Sequence, residues 1–382
     1  MNVIVDGIIY QKQSQGGISH IYDEILPRMC NEYDFLKIDL LTSGPCKKAL
    51  PVHSHIKHTA LFPIDSFLRP TRLWRNKRFH IRAYLQHLTF SDSREKIWHS
   101  TYSTMPYNWK GPVVFSIYDM IHERFALDLF NQPYEEDYRI HKRQCAKEAD
   151  QIICISEATK LDIEKFLQID SGKIKVIHLA SSPIFRQIEN ANHIPAQITS
   201  KPFLLYVGGR NSYKNFNNLL KAYGSWHSIN EIDLVVVGRS WNKHELKLIK
   251  ELKLEKHVFL VTDIDKEKLS ILYNQATALV FPSLYEGFGI PLLEAMACGC
   301  PITASRIPTT LEIAGDFPVY FEPKEIDSII TALENVLNIK QNSDRVELGL
   351  KRARQFSWDI TAHETLSIYR NLLNLNDRNV FD

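Results

Sequence analysis

Short apolar runs recur along this chain, separated by stretches in which apolar residues return every third or fourth position. Val3 to Val5, Phe35 to Leu41, Lys96 to His99, Val113 to Tyr118, Gln151 to Ile155 and Lys175 to His178 read as strands of a first half. Phe203 to Val207, Leu234 to Val237, Val258 to Val261, Ala278 to Phe281 and Pro301 to Ala304 read as a second series. Strands of this buried type, alternating with helical patterns, predict parallel α/β layers. Ser182 to Pro202 is polar and proline-containing and reads as a linker. The predicted division is residues 1–184, residues 185–360, and a closing segment 361–382 with an amphipathic helix over about Thr361 to Leu373, preceded by Trp358.

At 382 residues the chain is long for one core, which agrees with two domains. A net charge of +2 carries no global nucleic-acid signal. The charge is uneven: residues 51–100 hold nine Lys or Arg against three Asp or Glu. No apolar run approaches the ~20 residues that span a bilayer, and MNVIVDGIIY lacks a basic leader region. Cysteines 30, 46, 145, 154, 298 and 300 form no C-x-x-C pair, so reduced thiols in a cytoplasmic protein are expected. Cys298 and Cys300 read as small buried residues at a helix end.

The most informative stretch is FPSLYEGFGIPLLEAMACGCP, Phe281 to Pro301. A strand feeds the turn Glu286-Gly287-Phe288-Gly289, which opens a helix with Pro291 near its start and Gly299 past its end. Free backbone N–H groups at a helix start favour an anion. Glu286 and Glu294, which only accept hydrogen bonds when ionised, suit hydroxyls on either side of it. A phosphate flanked by hydroxyls describes a nucleotide-sugar. Gly208-Gly209-Arg210 and Lys214 follow another strand, at the carboxyl end where ligands of open α/β sheets gather. Arg210 and Lys214 there could stabilise charge on a departing diphosphate without a metal.

The Glu286 to Glu294 spacing is an E-x7-E pattern, and the segment resembles glycosyltransferase family 4, retaining enzymes of the GT-B fold. The resemblance is specific from Lys201 to Glu322, moderate from Ile97 to Pro183 and over the first thirty residues, and absent from about residue 42 to 95. It implies two Rossmann-like domains facing a cleft, with a C-terminal helix crossing back to the first. It implies that Glu294 holds the donor ribose and Glu286 lies beside the donor sugar. The backbone of Gly287, Phe288 and Gly289 would contact sugar hydroxyls or phosphate. Gly209, Arg210 and Lys214 would hold the diphosphate, and the turn around Thr262 would seat the base through backbone groups. Gly16 and Gly17 match the family's glycine loop in position. No metal and no further cofactor are implied.

Where many relatives carry His-Asp, this chain has Tyr118-Asp119, with His122 one helical turn on. Asp119 either positions the acceptor hydroxyl or caps a helix, and the choice among Tyr118, Asp119 and His122 stays open. His99 ends a strand and reads as structural more readily than as an acceptor contact. Asp263 and Asp265 form an Asp-x-Asp pattern used for Mn²⁺ in another transferase fold; capping by Asp265 is preferred. Ser156 likewise reads as a helix cap. Arg69, Arg72, Arg75, Arg78 and Arg82 recur at helical spacing among aromatic and aliphatic residues. They read as a contact with anionic lipid, a solvated face or a nucleic-acid patch, the first being preferred.

The resemblance implies transfer of a hexosyl or deoxyhexosyl group to a glycan or lipid-linked glycan, with a mild lean to a GDP-linked over a UDP-linked donor. A nucleotide-sugar epimerase, a glycan phosphorylase and a non-catalytic sugar-nucleotide-binding subunit share parts of this pattern.

Overall fold

The computed structural model describes residues 1–13, 16–61, 93–106, 108–126, 133–189, 198–337, 339 and 343–375. The chain forms two compact units, Met1–Leu179 with Trp358–Asp382, and Ala180–Ser357. The first boundary lies ahead of residue 184 because Ile184, Arg186 and Ile188 already bond to the second unit. The carbonyls of Ile184 and Arg186 accept from Ser270 and Asn274, and the amide of Ile188 donates to Asn274. Phe185 meets the Tyr273 ring edge-on. The arginine segment Arg69 to Arg82 lies outside the described residues.

The first unit holds a parallel sheet of β1 (Asn2–Asp6), β2 (Lys37–Thr42), β3 (Ile56–Ala60), β4 (Lys96–Ser100), β5 (Val113–Ile117), β6 (Gln151–Cys154) and β7 (Ile174–Val176). Their order is β3-β2-β1-β4-β5-β6-β7. Helices α1 (Ile8–Lys12), α2 (Gly17–Glu32), α3 (Ile121–Arg124), α4 (Pro133–Glu148) and α5 (Glu157–Leu167) connect them. Strand β3 was not predicted: IKHTA is mostly polar and lies at the sheet edge, where one side needs no apolar cover.

The second unit holds β8 (Phe203–Val207), β9 (Asp233–Val237), β10 (Val258–Val261), β11 (Ala278–Phe281), β12 (Ile302–Ser305) and β13 (Val319–Phe321), all parallel, in the order β10-β9-β8-β11-β12-β13. The helices are α6 (Phe216–Ser225), α7 (Lys243–Glu251), α8 (Lys266–Gln275), α9 (Ile290–Ala297), α10 (Pro308–Ala314), α11 (Ile326–Val336) and α12 (Ser343–Ala353). Strand β13 also went unpredicted, being only VYF. Every residue of β9 is buried, as a strand covered on both faces requires. Leu219, Leu220 and Tyr223 of α6 and Leu333 and Val336 of α11 pack with Leu234 and Val236 on one face. Each such fully buried side chain contributes about 1.5–3 kcal/mol.

Both sheets are Rossmann-like. Strand order reverses between β1 and β4 in one and between β8 and β11 in the other, and ligands of such sheets bind beyond the carboxyl ends at the reversal.

The last helix, α13 (Trp358–Leu372), belongs to the first unit and packs on α2. Arg28 pairs with Asp359 at 2.9 Å, Trp358 meets His20 edge-on, and Thr361 donates to the carbonyl of His178 at 2.7 Å. It begins three residues before the predicted Thr361, so Trp358 opens the helix rather than preceding it.

Candidate functional site

In the second unit the reversal brings together two loops far apart in sequence. Beyond β8, Gly208 has φ +133°, a conformation that L side chains rarely adopt. The turn Ser212–Lys214 follows, closed by Asn215 at φ +58°. Beyond β11 comes the loop from Pro282 to Gly289. The amide of Leu284 donates to the carbonyl of Tyr213 at 2.7 Å, tying the two loops.

That tie sets Lys214 on Glu286. Its Nζ donates to Oε1 at 2.6 Å and to Oε2 at 2.8 Å. Glu286 is buried and held from two further sides. Ser283 Oγ donates to its Oε1 at 2.6 Å, and Thr309 Oγ1 donates to its backbone carbonyl at 2.8 Å. Gly289, at φ +101°, precedes α9, whose amino end has no side-chain cap and carries Pro at one of its first two positions. Gly299, at φ +67°, follows it. Glu294 lies within α9, half-buried, and accepts from Tyr273 Oη at 2.9 Å. Burial pushes its carboxyl up to about 7, against the opposing pull of the Tyr273 bond and of Lys266. Phe288 is buried, its ring edge-on to Phe356.

Arg210 turns away from Lys214. Its Nε and Nη2 donate to the two carboxylate oxygens of Glu245 at 2.9 and 3.2 Å, and Nη2 also reaches the carbonyls of Arg239 and Ser240. Both side chains of the pair are only 4% exposed. The guanidinium lies 4.6 Å from the Trp241 ring centre. Its Nη1 is buried without a hydrogen-bond partner among the described residues. The bare α-carbon of Gly238 makes room for it, since a Cβ there would lie 2.7 Å from Nη1.

Thr262 is exposed just past β10. Asp265 caps α8, accepting from the amide of Lys268 at 2.8 Å, which is the preferred sequence reading. Among the described residues, no three His, Cys, Asp or Glu side chains gather as metal ligands would.

In the first unit, Gly16 is the extended residue before α2, and its carbonyl accepts from Ser19 Oγ at 3.1 Å. Gly17 opens the helix, and a Cβ there would meet nothing within 4 Å. Asp119 follows β5, and its Oδ1 accepts from the amide of Ile121 at 3.1 Å. The carbonyl of Asp119 accepts from Lys142. His122 Nδ1 lies 2.7 Å from Glu135. Tyr118 Oη meets Tyr22 Oη at 2.6 Å, and Tyr22 in turn reaches His99 Nε2 at 3.3 Å. His99 also bonds Ser116 at 2.8 Å and Tyr369 of α13. It is fully enclosed, and burial lowers its pKa to about 3, so it is a neutral structural residue. Ser156 caps α5 by accepting from the amide of Thr159 at 3.0 Å.

Sequence reading overlooked Ser283, Thr309, Tyr273 and Glu245. Ser283 stood inside the quoted FPSLYEG segment; the others act across sequence distances that no local motif spans.

Each unit carries a Rossmann-like parallel sheet, as in the GT-B fold. Residues 188–352 match the family described as Glycosyl transferases group 1 and residues 36–180 match Glycosyltransferase Family 4, so two glycosyltransferase family models together cover most of the chain. It is 29% identical over 231 residues, 57% of this chain and 60% of the relative, to the O-antigen chain mannosyltransferase B of Escherichia coli. It is 29% identical over 202 residues, 52% of this chain and 54% of the relative, to the O-antigen chain mannosyltransferase RfbU of Salmonella typhimurium. The matched region thus spans little more than half of either relative. The fold is similar to that of a sucrose-phosphate synthase from Thermosynechococcus elongatus, with a TM-score of 0.76 at 19% identity over 98% of this chain and all of that one.

Proposed function

We propose that this chain transfers a hexosyl or deoxyhexosyl group, with retention at the anomeric carbon, from a nucleoside diphosphate sugar to a hydroxyl of a glycan or lipid-linked glycan in cell-surface polysaccharide synthesis. The observation that carries the proposal is the Lys214–Glu286 pair beyond β8 and β11, ahead of the uncapped start of the helix that carries Glu294. One cation and two carboxylates around an uncapped helix start suit a ligand with a central diphosphate and hydroxyls on both sides.

In this reading Glu294 accepts from the ribose hydroxyls and Glu286 from the sugar. Backbone groups at Gly287 to Gly289 approach the sugar or phosphate, and those around Thr262 seat the base. Gly16 and Gly17 are assigned as the glycine loop of the first unit, by resemblance to the family. Lys214 and the α9 amino end stabilise the leaving diphosphate. Arg210 would join them only on leaving Glu245, because its remaining nitrogen, Nη1, is enclosed against Gly238. A departing phosphate oxygen takes the acceptor proton on the same face, so no covalent glycosyl-enzyme forms and no metal is needed. Asp119, with Tyr118 and His122 nearby in sequence, is assigned to the acceptor side. A GDP-linked donor is preferred to a UDP-linked one, on the resemblance of the Gly208 to Asn215 segment to that of mannose- and deoxysugar-transferring enzymes. The work is assigned to the cytoplasmic face of the membrane, with Arg69 to Arg82 as the contact to anionic lipid. No helix among the described residues is long and apolar enough to cross a membrane.

The test is a thermal-shift panel of nucleotides and nucleotide-sugars, followed by assay of nucleoside diphosphate release with and without glycan acceptors. A ligand at 100 times its Kd raises stability by about 2.7 kcal/mol. Acceptor-dependent release supports transfer. Release of nucleotide and free sugar without an acceptor would indicate an epimerase-type enzyme, and binding with no turnover a sugar-nucleotide-binding subunit.

A further inference from the structure

Lys214 and Glu286, which the reading above assigns to the diphosphate and to the sugar of the donor, are bonded to each other. We propose that this pair makes the site discriminate between a nucleoside diphosphate that carries its sugar and one that has lost it, so that re-forming the pair helps expel the spent nucleotide. The inference rests on the donor-site reading.

The physical reason is what each ligand offers Glu286. Its side chain is about one-tenth exposed, and an enclosed carboxylate needs its lone pairs met. It cannot swing out to water without breaking several ties. Ser283 holds Oε1, Thr309 holds the backbone carbonyl, and the Leu284 to Tyr213 bond fixes the loop against the turn that carries Lys214. A nucleoside diphosphate brings oxygens alone. It competes for the N–H donors of Lys214, two of which Glu286 holds, and each one it takes leaves an enclosed carboxylate less satisfied beside a second anion. The nucleotide-sugar brings hydroxyl donors as well. Those hydroxyls satisfy Glu286 as Lys214 turns to phosphate, so both groups exchange one partner for another. Once the sugar has been transferred, the donors that compensated Glu286 leave with it, and Lys214 returns to the carboxylate.

The substitutions Glu286→Gln and Ser283→Ala then act in opposite directions on the same ligand. A neutral amide releases Lys214 and removes the repulsion. Loss of the Ser283 hydroxyl leaves Glu286 more dependent on Lys214. Titration calorimetry on the full chain with GDP, GDP-mannose, UDP and UDP-glucose, read on whichever nucleotide pair binds, tests this. In the unaltered protein the nucleotide-sugar binds tighter than its nucleoside diphosphate. Glu286→Gln binds the nucleoside diphosphate roughly tenfold tighter and loses the preference for the sugar-bearing form. Ser283→Ala binds it several-fold weaker. Unchanged or weaker nucleoside diphosphate binding by folded Glu286→Gln overturns the inference and leaves the donor site standing. If circular dichroism shows Glu286→Gln unfolded, Ser283→Ala decides alone, and unchanged or tighter binding overturns it. If none of the four ligands binds the unaltered protein, the donor-site reading itself falls.

Discussion

The Tyr273 hydroxyl donates a hydrogen bond to Glu294 at 2.9 Å, from a fully buried ring to a half-buried carboxylate. The buried tyrosine comes from α8 and the glutamate from α9, so the contact sets the rotamer of the carboxylate assigned to ribose. Burial leaves that carboxylate reluctant to ionise, although the Tyr273 bond itself favours the ionised form.

The sign of the pH effect follows. The Glu294 pKa is raised to about 7 in the folded chain from an ordinary value of 4.5. Its contribution to stability is therefore fully present below about pH 4.5 and is lost as pH rises through about 7. Accepting hydrogen bonds from ribose requires the ionised form, so nucleotide affinity should rise between about pH 6 and 8 as Glu294 loses its proton. Calorimetry across that range checks this, with Glu294→Gln as the control because the phosphate's own titration persists in it. Parallel pH profiles in the two proteins would remove Glu294 from the ribose.

Arg210 and Glu245 supply a stability prediction. Both side chains are 4% exposed, and Glu245 also completes a capping box with Asn242 at the start of α7. Glu245→Ala would leave a guanidinium enclosed without its carboxylate, at a cost of about 3–5 kcal/mol. Urea unfolding measures it. A loss below about 1 kcal/mol, the scale of an exposed pair, would mean that the pair opens readily and that Arg210 is held for a ligand alone.

Much of the second unit was legible because its signals are local. The runs from Phe203 to Val207 and from Leu234 to Val237 are continuously apolar, and Pro291 and Gly299 punctuate α9 within a few residues of each other. The partners of the site residues were not legible. Lys214 and Glu286 are 72 positions apart, and Arg210 and Glu245 are 35 apart. Arg210 was read as facing a ligand because it ends a strand at the reversal. The acidic residue that pairs with its guanidinium arrives with a different strand and helix.

Transfer should survive EDTA, because Lys214, Arg210 and the α9 amino end are assigned the leaving-group charge. A charge-assisted contact contributes about 1.5–3 kcal/mol, so Lys214→Ala should lower kcat/KM about tenfold to a hundredfold. Loss of all activity in EDTA, restored by Mn²⁺, would return Asp263 and Asp265 to the reaction despite the capping bond of Asp265.

Membrane contact is a separate matter of charge. If Arg69 to Arg82 meet anionic lipid, each arginine adds about 1 kcal/mol near the surface. Replacing Arg72, Arg75 and Arg78 with Ser should then abolish sedimentation with phosphatidylglycerol vesicles at physiological salt and leave nucleotide affinity unchanged. Failure of the unaltered protein to sediment at low salt, where screening is least, would leave a solvated face or a contact for a soluble acceptor.

The division of labour between the two glutamates tests the donor site most directly. Nucleoside diphosphate titration and initial rates of acceptor glycosylation are to be measured for Glu294→Ala and Glu286→Ala against the unaltered chain. The predicted result is weakened nucleotide binding in Glu294→Ala, and slowed transfer with nucleotide binding retained or strengthened in Glu286→Ala. Unchanged affinity and unchanged rate in both variants would contradict the assignment of the donor to the carboxyl ends of β8 and β11.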